Sequence, residues 1–110
     1  FSVRRILRSA GAKHIDVADN GETALKMLAE AGRKQAPYDV VIMDYMMPGM
    51  SGIEMLYEIK RREIKNAEGT RKIIRTGFYN AELNTEAKSV GASIVLSKPC
   101  DAASLSAAIS

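Results

Sequence analysis

Three side chains of unlike chemistry each close an apolar run: Asp44 after VVIM, Thr76 after KIIR and Lys98 after SIVLS. A carboxylate can attack phosphorus to give an acyl phosphate, while a hydroxyl and an ammonium can stabilise the equatorial oxygens of the group in transfer. The three lie 32 and 22 residues apart, so only a fold can gather them. Taken singly each has a plainer role: Asp44 as a turn residue before Pro-Gly, Thr76 as a β-branched strand end, Lys98 as a solvated lysine.

The elements that must position them follow from hydrophobic spacing. Val40-Val41-Ile42-Met43 does not alternate and is apolar on both faces, as in a central parallel strand. Strands are predicted around 72–76 and 93–96, and the alternating HIDVA at 14–18 reads as another short strand. Residues 3–10 place Val3, Ile6, Leu7 and Ala10 at helical spacing before a Gly11 stop. Further helices are predicted from an Asn20 cap to about Arg33, over 52–63, over 80–89 and over 101–109, with a polar loop at 64–71. Strands alternating with helices at this spacing predict an α/β domain with a parallel sheet, whose ligand site lies beyond the carboxyl ends of the strands. There the three side chains would meet.

At 110 residues the chain is one domain's worth, 1–110, with no repeat or linker. No apolar stretch approaches the roughly 20 residues that span a bilayer, and a cytoplasmic location is expected. The single Cys100 has no partner for an internal disulfide and reads as a packing residue. The net charge of +3 is carried in groups such as Arg4-Arg5-Arg8, Arg33-Lys34, Lys60-Arg61-Arg62 and Arg71-Lys72. These fall near predicted helix ends, without aromatic interleaving or a reading helix, so direct nucleic-acid binding is not expected. His14, the only histidine, starts a predicted strand and is not expected to carry phosphate. Met43, Met46, Met47, Met50 and Met55 cluster around the turn and read as packing, since no other soft ligand accompanies them.

In order along the chain stand VADNGETAL at 17–25, Asp44-x-x-Met47-Pro48-x-x-x-Gly52, Thr76-Gly77, Gly91-Ala92 and Lys98-Pro99. Together they resemble the receiver domain of bacterial two-component response regulators, of the chemotaxis-regulator kind, over about Val3 to Ile109. The resemblance implies a flavodoxin-like, doubly wound parallel five-stranded sheet of order 2-1-3-4-5, with strand 1 absent from this sequence. It implies Asp44 as phosphoacceptor, Thr76 as switch hydroxyl and Lys98 as phosphoryl contact, with Pro48 and Gly52 shaping the turn and a cis peptide before Pro99. It implies a Mg²⁺ ion on Asp44 and the backbone carbonyl of Met46. The implied donor is the phosphohistidine of a sensor histidine kinase or phosphotransfer protein. The output partner would meet the helix after Asn80, the strand near Val95 and the last helix, with homodimerisation left open. Such a protein catalyses only its own phosphorylation and dephosphorylation, and no membrane contact is implied.

Three departures qualify the match. The family's first strand and its acidic pair, which hold the Mg²⁺, have no counterpart in 1–110, because the sequence starts at Phe1 and reads as helical by Val3. The pair is expected upstream of Phe1 in a longer biological chain, and the last helix is expected to be cut short. Val95 stands where an aromatic residue is usual, so coupling from site to surface would differ. Met46 and Phe78 flank the implied path of the hydrolytic water and would slow loss of the phosphoryl group. A phosphorylation-independent binding module stays open as an alternative. A phosphatase of the haloacid dehalogenase type is disfavoured, because Met46 stands where its second acid belongs.

Overall fold

The three apolar runs form strands β1 (Val40–Asp44), β2 (Arg71–Thr76) and β3 (Ile94–Ser97). They pair in parallel in the order β1-β2-β3. The computed structural model describes residues 3–9, 11–12, 14–46, 49–77, 79–98 and 102–109. Register sets Met43 beside Ile74, Asp44 beside Arg75, Ile74 beside Val95 and Thr76 beside Ser97.

The helices are α1 (Val3–Ser9), α2 (Gly21–Arg33), α3 (Gly52–Arg61), α4 (Ala81–Ser89) and α5 (Ala102–Ile109). The first described element is thus a helix beginning at Val3, as the spacing in VRRILRSA predicts, and Phe1 lies outside the described residues. Three helices begin where a side chain can accept an orphan backbone N–H. Asn20 Oδ1 accepts from the Thr23 N–H at 2.8 Å, and Asn80 Oδ1 accepts from the Leu83 N–H at 2.8 Å. Ser51 and Glu54 close a reciprocal capping box at 3.1 and 3.3 Å. The third helix stops at Arg61, short of the expected 63, because Glu63 takes a left-handed φ of 49° that an α-helix cannot continue through.

Helices α2, α3 and α4 share one hydrophobic cluster with the sheet. Leu25 and Leu28 of α2, Ile53, Met55, Leu56 and Ile59 of α3, and Leu83 and Ala87 of α4 meet Met43, Ile74 and Val95 there. Strand alternation turns Ile73 to the opposite face, where it is fully buried, as is Leu105 of α5. Helix α5 touches both β3 and α1, so helices flank the sheet on its two sides. The parallel α/β class is as the sequence predicts.

Two expectations need correction. Residues 14–18 form no strand, so the described sheet has three strands where four were expected of this sequence, strand 1 being absent from it. A strand exists only in a ladder, and in the expected order this segment would neighbour strand 1, not β1. Among the described residues it pairs in no ladder, and Asp16 accepts a hydrogen bond from the Tyr38 hydroxyl. The second correction is Lys72, expected among the cations near helix ends. It lies inside β2, 8% exposed, with Nζ donating to the carbonyls of Ala67 at 2.6 Å and Thr70 at 3.0 Å. Desolvation pushes its pKa below the usual lysine value. Other basic groups are paired within the chain: Arg33 and Lys34 with Glu30, Arg61 and Arg62 with Glu58, and Arg62 also with Glu22. The Arg61 guanidinium, then that of Arg62, holds Glu58 down at about 2.

This packing can be tested at a glycine and at a phenol. The loop after α3 rests on Gly32, where an added Cβ would run into the Lys65 carbonyl oxygen while the Asn66 amide donates to the Gly32 carbonyl at 3.0 Å. Gly32→Ala should therefore lower stability by about 2 kcal/mol, as overpacking does, read as a fall in thermal midpoint. Gly69→Ala, with open space around its Cβ position, should change it little.

The phenol is Tyr38, whose bond to Asp16 raises its pKa from 10.0 to about 12. A phenol held above its unfolded value adds stability that is complete below pH 10 and lost as pH climbs through about 12. The stability difference between wild type and Tyr38→Phe, measured by denaturant titration, should accordingly be largest below that window and vanish above it. A difference that persists above it would show that the bond to Asp16 is not its source.

Candidate functional site

The register brings three chain positions to one edge of the sheet. Asp44 is the last residue of β1, and its Cα partner Arg75 is the penultimate residue of β2. Lys98 follows β3 directly, with its N–H donating to the Thr76 carbonyl at 2.6 Å. The polypeptide leaves β1 under similar control: the Tyr45 N–H donates to the Arg75 carbonyl at 2.8 Å, and the Gly52 N–H returns to the Tyr45 carbonyl at 2.9 Å. A Cβ at Gly52 would sit 3.1 Å from the Asp44 carbonyl oxygen, so the start of α3 approaches Asp44 as closely as it does because this residue is glycine.

Two cations converge on one oxygen. Lys98 Nζ lies 3.2 Å from Asp44 Oδ1, and the Arg75 guanidinium reaches the same atom at 3.6 Å. Asp44 is 42% exposed and Lys98 36%, so the carboxylate remains open to a reactant; Arg75 is more enclosed at 18%. Its Nε is buried with no hydrogen-bond partner among the described residues.

Of the other residues singled out in the sequence, Thr76 is fully buried and joined to Lys98 through its backbone. Val95 is buried in the core beside Ile74. Met46, two residues after Asp44, stands 72% exposed. Pro48, Phe78 and Pro99, with its expected cis peptide, lie outside the described residues. So does Phe1, before which the acidic pair is expected, and of the oxygens expected to hold Mg²⁺ those of Asp44 and Met46 fall on described residues. The arrangement joins Asp44 to Lys98 by side chains and Thr76 to Lys98 by backbone. Arg75 is absent from the residues singled out in the sequence. The available signal was a charged residue set one place before the end of an otherwise apolar strand, at the level of Asp44.

A carboxylate at the open end of a parallel sheet, held by a lysine from a neighbouring loop, is the geometry the resemblance requires. The model of the response regulator receiver domain matches residues 1–110. The chain belongs to the receiver domain family. Chemotaxis protein CheY-3 of Vibrio cholerae is 35% identical to this receiver over 104 residues, covering 94% of this chain and 74% of that protein. Regulatory protein AtoC of Escherichia coli is 36% identical over 103 residues, 91% of this chain but 20% of its own length. A receiver domain protein from Clostridium thermocellum superposes with a TM-score of 0.79 at 31% identity, over 97% of this chain and 79% of that one. The CheX-CheY-BeF3-Mg²⁺ complex from Borrelia burgdorferi superposes with a TM-score of 0.80 at 26% identity, over 97% and 75%. The receiver is thus of the CheY type, and its family comprises signalling modules that generally bind Mg²⁺ and work with histidine kinases and output proteins.

The donor set suits that ion, since Mg²⁺ takes hard oxygens, few of them from protein, and keeps water or phosphate oxygens on the rest. Among the described residues no three or more aspartate, glutamate, histidine or cysteine side chains are grouped so that they could hold a metal ion. No helix among them is long and apolar enough to cross a membrane.

Proposed function

We propose that this receiver accepts a phosphoryl group on Asp44 from the phosphohistidine of a sensor histidine kinase or phosphotransfer protein. The observation that carries the reading is Lys98 Nζ at 3.2 Å from an Asp44 carboxylate that remains 42% exposed at the end of β1. An Asp44 oxygen attacks phosphorus, a new O–P bond forms, and the P–N bond to the donor imidazole breaks with its electron pair leaving on nitrogen. Lys98 is placed to follow the charge as it moves from the carboxylate onto the phosphoryl oxygens. Asp44 and the backbone carbonyl of Met46, together with an acidic pair upstream of Phe1, would hold Mg²⁺, which when bound neutralises part of the phosphoryl charge. The chemistry is confined to the receiver itself, which makes it a switch rather than an enzyme for a separate substrate.

The output would follow from the segment after Thr76. Gly77 and Tyr79 are exposed between the end of β2 and α4, and α4 is held by just two buried side chains, Leu83 and Ala87. Such an element can be shifted between two arrangements by a modest free energy, which a phosphoryl group near the Thr76 hydroxyl would supply. The surface of α4, β3 and α5 would then present different faces to an output partner in the two states.

The test is incubation of the intact protein with acetyl phosphate and Mg²⁺, followed by intact-mass measurement. Wild type should gain one phosphoryl mass and Asp44→Asn none. Equal labelling of the two, or labelling of neither, would remove Asp44 as the acceptor.

A further inference from the structure

The charges at the site do not match the carboxylate alone. Asp44 contributes one negative charge, and Lys98 and Arg75 bring two positive ones to the same Oδ1 atom. An acyl phosphate on Asp44 would carry close to two negative charges at neutral pH; with the expected acidic pair offset by the Mg²⁺ it would hold, the two cations are balanced by the phosphorylated residue rather than by the free one.

Arg75 is also poorly satisfied where it stands. Its contact to Asp44 is an ion pair at 3.6 Å, beyond hydrogen-bond distance, and its Nε is buried without an acceptor among the described residues. A buried donor left unmade is costly, and such a group in a folded protein calls for a partner. A guanidinium offers a planar fork of N–H donors that fits phosphoryl oxygens two at a time, which an ammonium cannot do. Parallel register fixes this fork at the level of the reacting carboxylate, since Arg75 is the Cα partner of Asp44.

We propose that Arg75 is a second phosphoryl-binding cation, waiting on Asp44 in the resting protein and passing to the phosphoryl oxygens once the O–P bond has formed. This rests on Asp44 being the acceptor. Lys98 would then serve as a point charge on one side of the group, and the Arg75 fork would bind from β2. The role is distinct from a structural ion pair, and the two differ in sign under mutation.

The experiment compares wild type, Arg75→Met and Arg75→Gln as intact proteins. Affinity for beryllofluoride in the presence of Mg²⁺ is measured by calorimetry, initial phosphorylation by acetyl phosphate by intact mass, and thermal midpoint without either ligand. Methionine keeps much of the aliphatic stem and removes both the excess charge and the unsatisfied Nε, while glutamine keeps polarity. The proposal expects beryllofluoride affinity and phosphorylation rate to fall about tenfold or more in both variants, with the unliganded midpoint of Arg75→Met equal to or above wild type. A structural pair predicts the reverse, a lowered midpoint with affinity within twofold of wild type, and that result would overturn the assignment of Arg75 alone. If wild type itself neither takes up phosphoryl nor binds beryllofluoride, Asp44 as acceptor falls, and the role of Arg75 with it.

Discussion

The site depends first on parallel pairing in one register. Asp44 and Arg75 are level across β1 and β2, and Thr76 is level with Ser97 across β2 and β3. Because every strand runs the same way, their carboxyl ends lie on a common edge, and residues remote in sequence become neighbours there. A slip of one residue in β2 would turn Thr76 out of the core and carry Arg75 away from the carboxylate. The register is protected by the faces it buries: Met43, Ile74 and Val95 meet one layer of helices, and Ile73 is buried on the other side. Hydrophobic burial thus fixes the geometry of a charged site.

Charge at that edge is arranged against the usual preference of a folded chain. Elsewhere cations are matched locally, as with Arg61 and Arg62 on Glu58, or are satisfied by carbonyls, as with buried Lys72. At Asp44 two cations share one carboxylate oxygen. A chain that pairs Arg33, Arg61 and Arg62 with carboxylates, yet leaves the Arg75 Nε buried without an acceptor among the described residues, concentrates positive charge where an anion would be made. The helix starting at Gly52 comes within a Cβ's reach of the Asp44 carbonyl, so the turn and the carboxylate are positioned together.

How much of this is legible in the sequence can be argued residue by residue. The strand ends, the caps at Asn20, Ser51 and Asn80, and the joint placement of Asp44 and Lys98 are readable because each rests on local pattern or on parallel topology. Segment 14–18 misleads because alternation reports a capacity to pair, while a strand also needs a neighbour, and that is a tertiary fact. The run VVIM predicts burial on two faces; Met43 is fully buried and Val40 to Ile42 are half-buried, with β1 paired to β2 among the described residues. Lys72 reads as a surface cation because composition cannot show that two backbone carbonyls will turn inward to receive it. Arg75 is hidden for a related reason. Its importance comes from its lateral partner, and register is not written in either strand alone.

Under the proposed function, the same packing indicates where motion is cheap. Helix α3 is anchored by Ile53, Met55, Leu56 and Ile59, and its start is locked by the capping box and by the close approach of Gly52 to Asp44. Helix α4 follows an exposed glycine and is anchored by Leu83 and Ala87 alone. Displacing α3 would forfeit four large buried side chains, at about 2 kcal/mol each, whereas α4 has one such side chain and an alanine to lose. Both helices lead away from the reacting edge, one from Asp44 and the other from Thr76. Helix α3 is the more firmly held, and under that reading this difference in anchoring directs the response to a phosphoryl group on Asp44 toward α4.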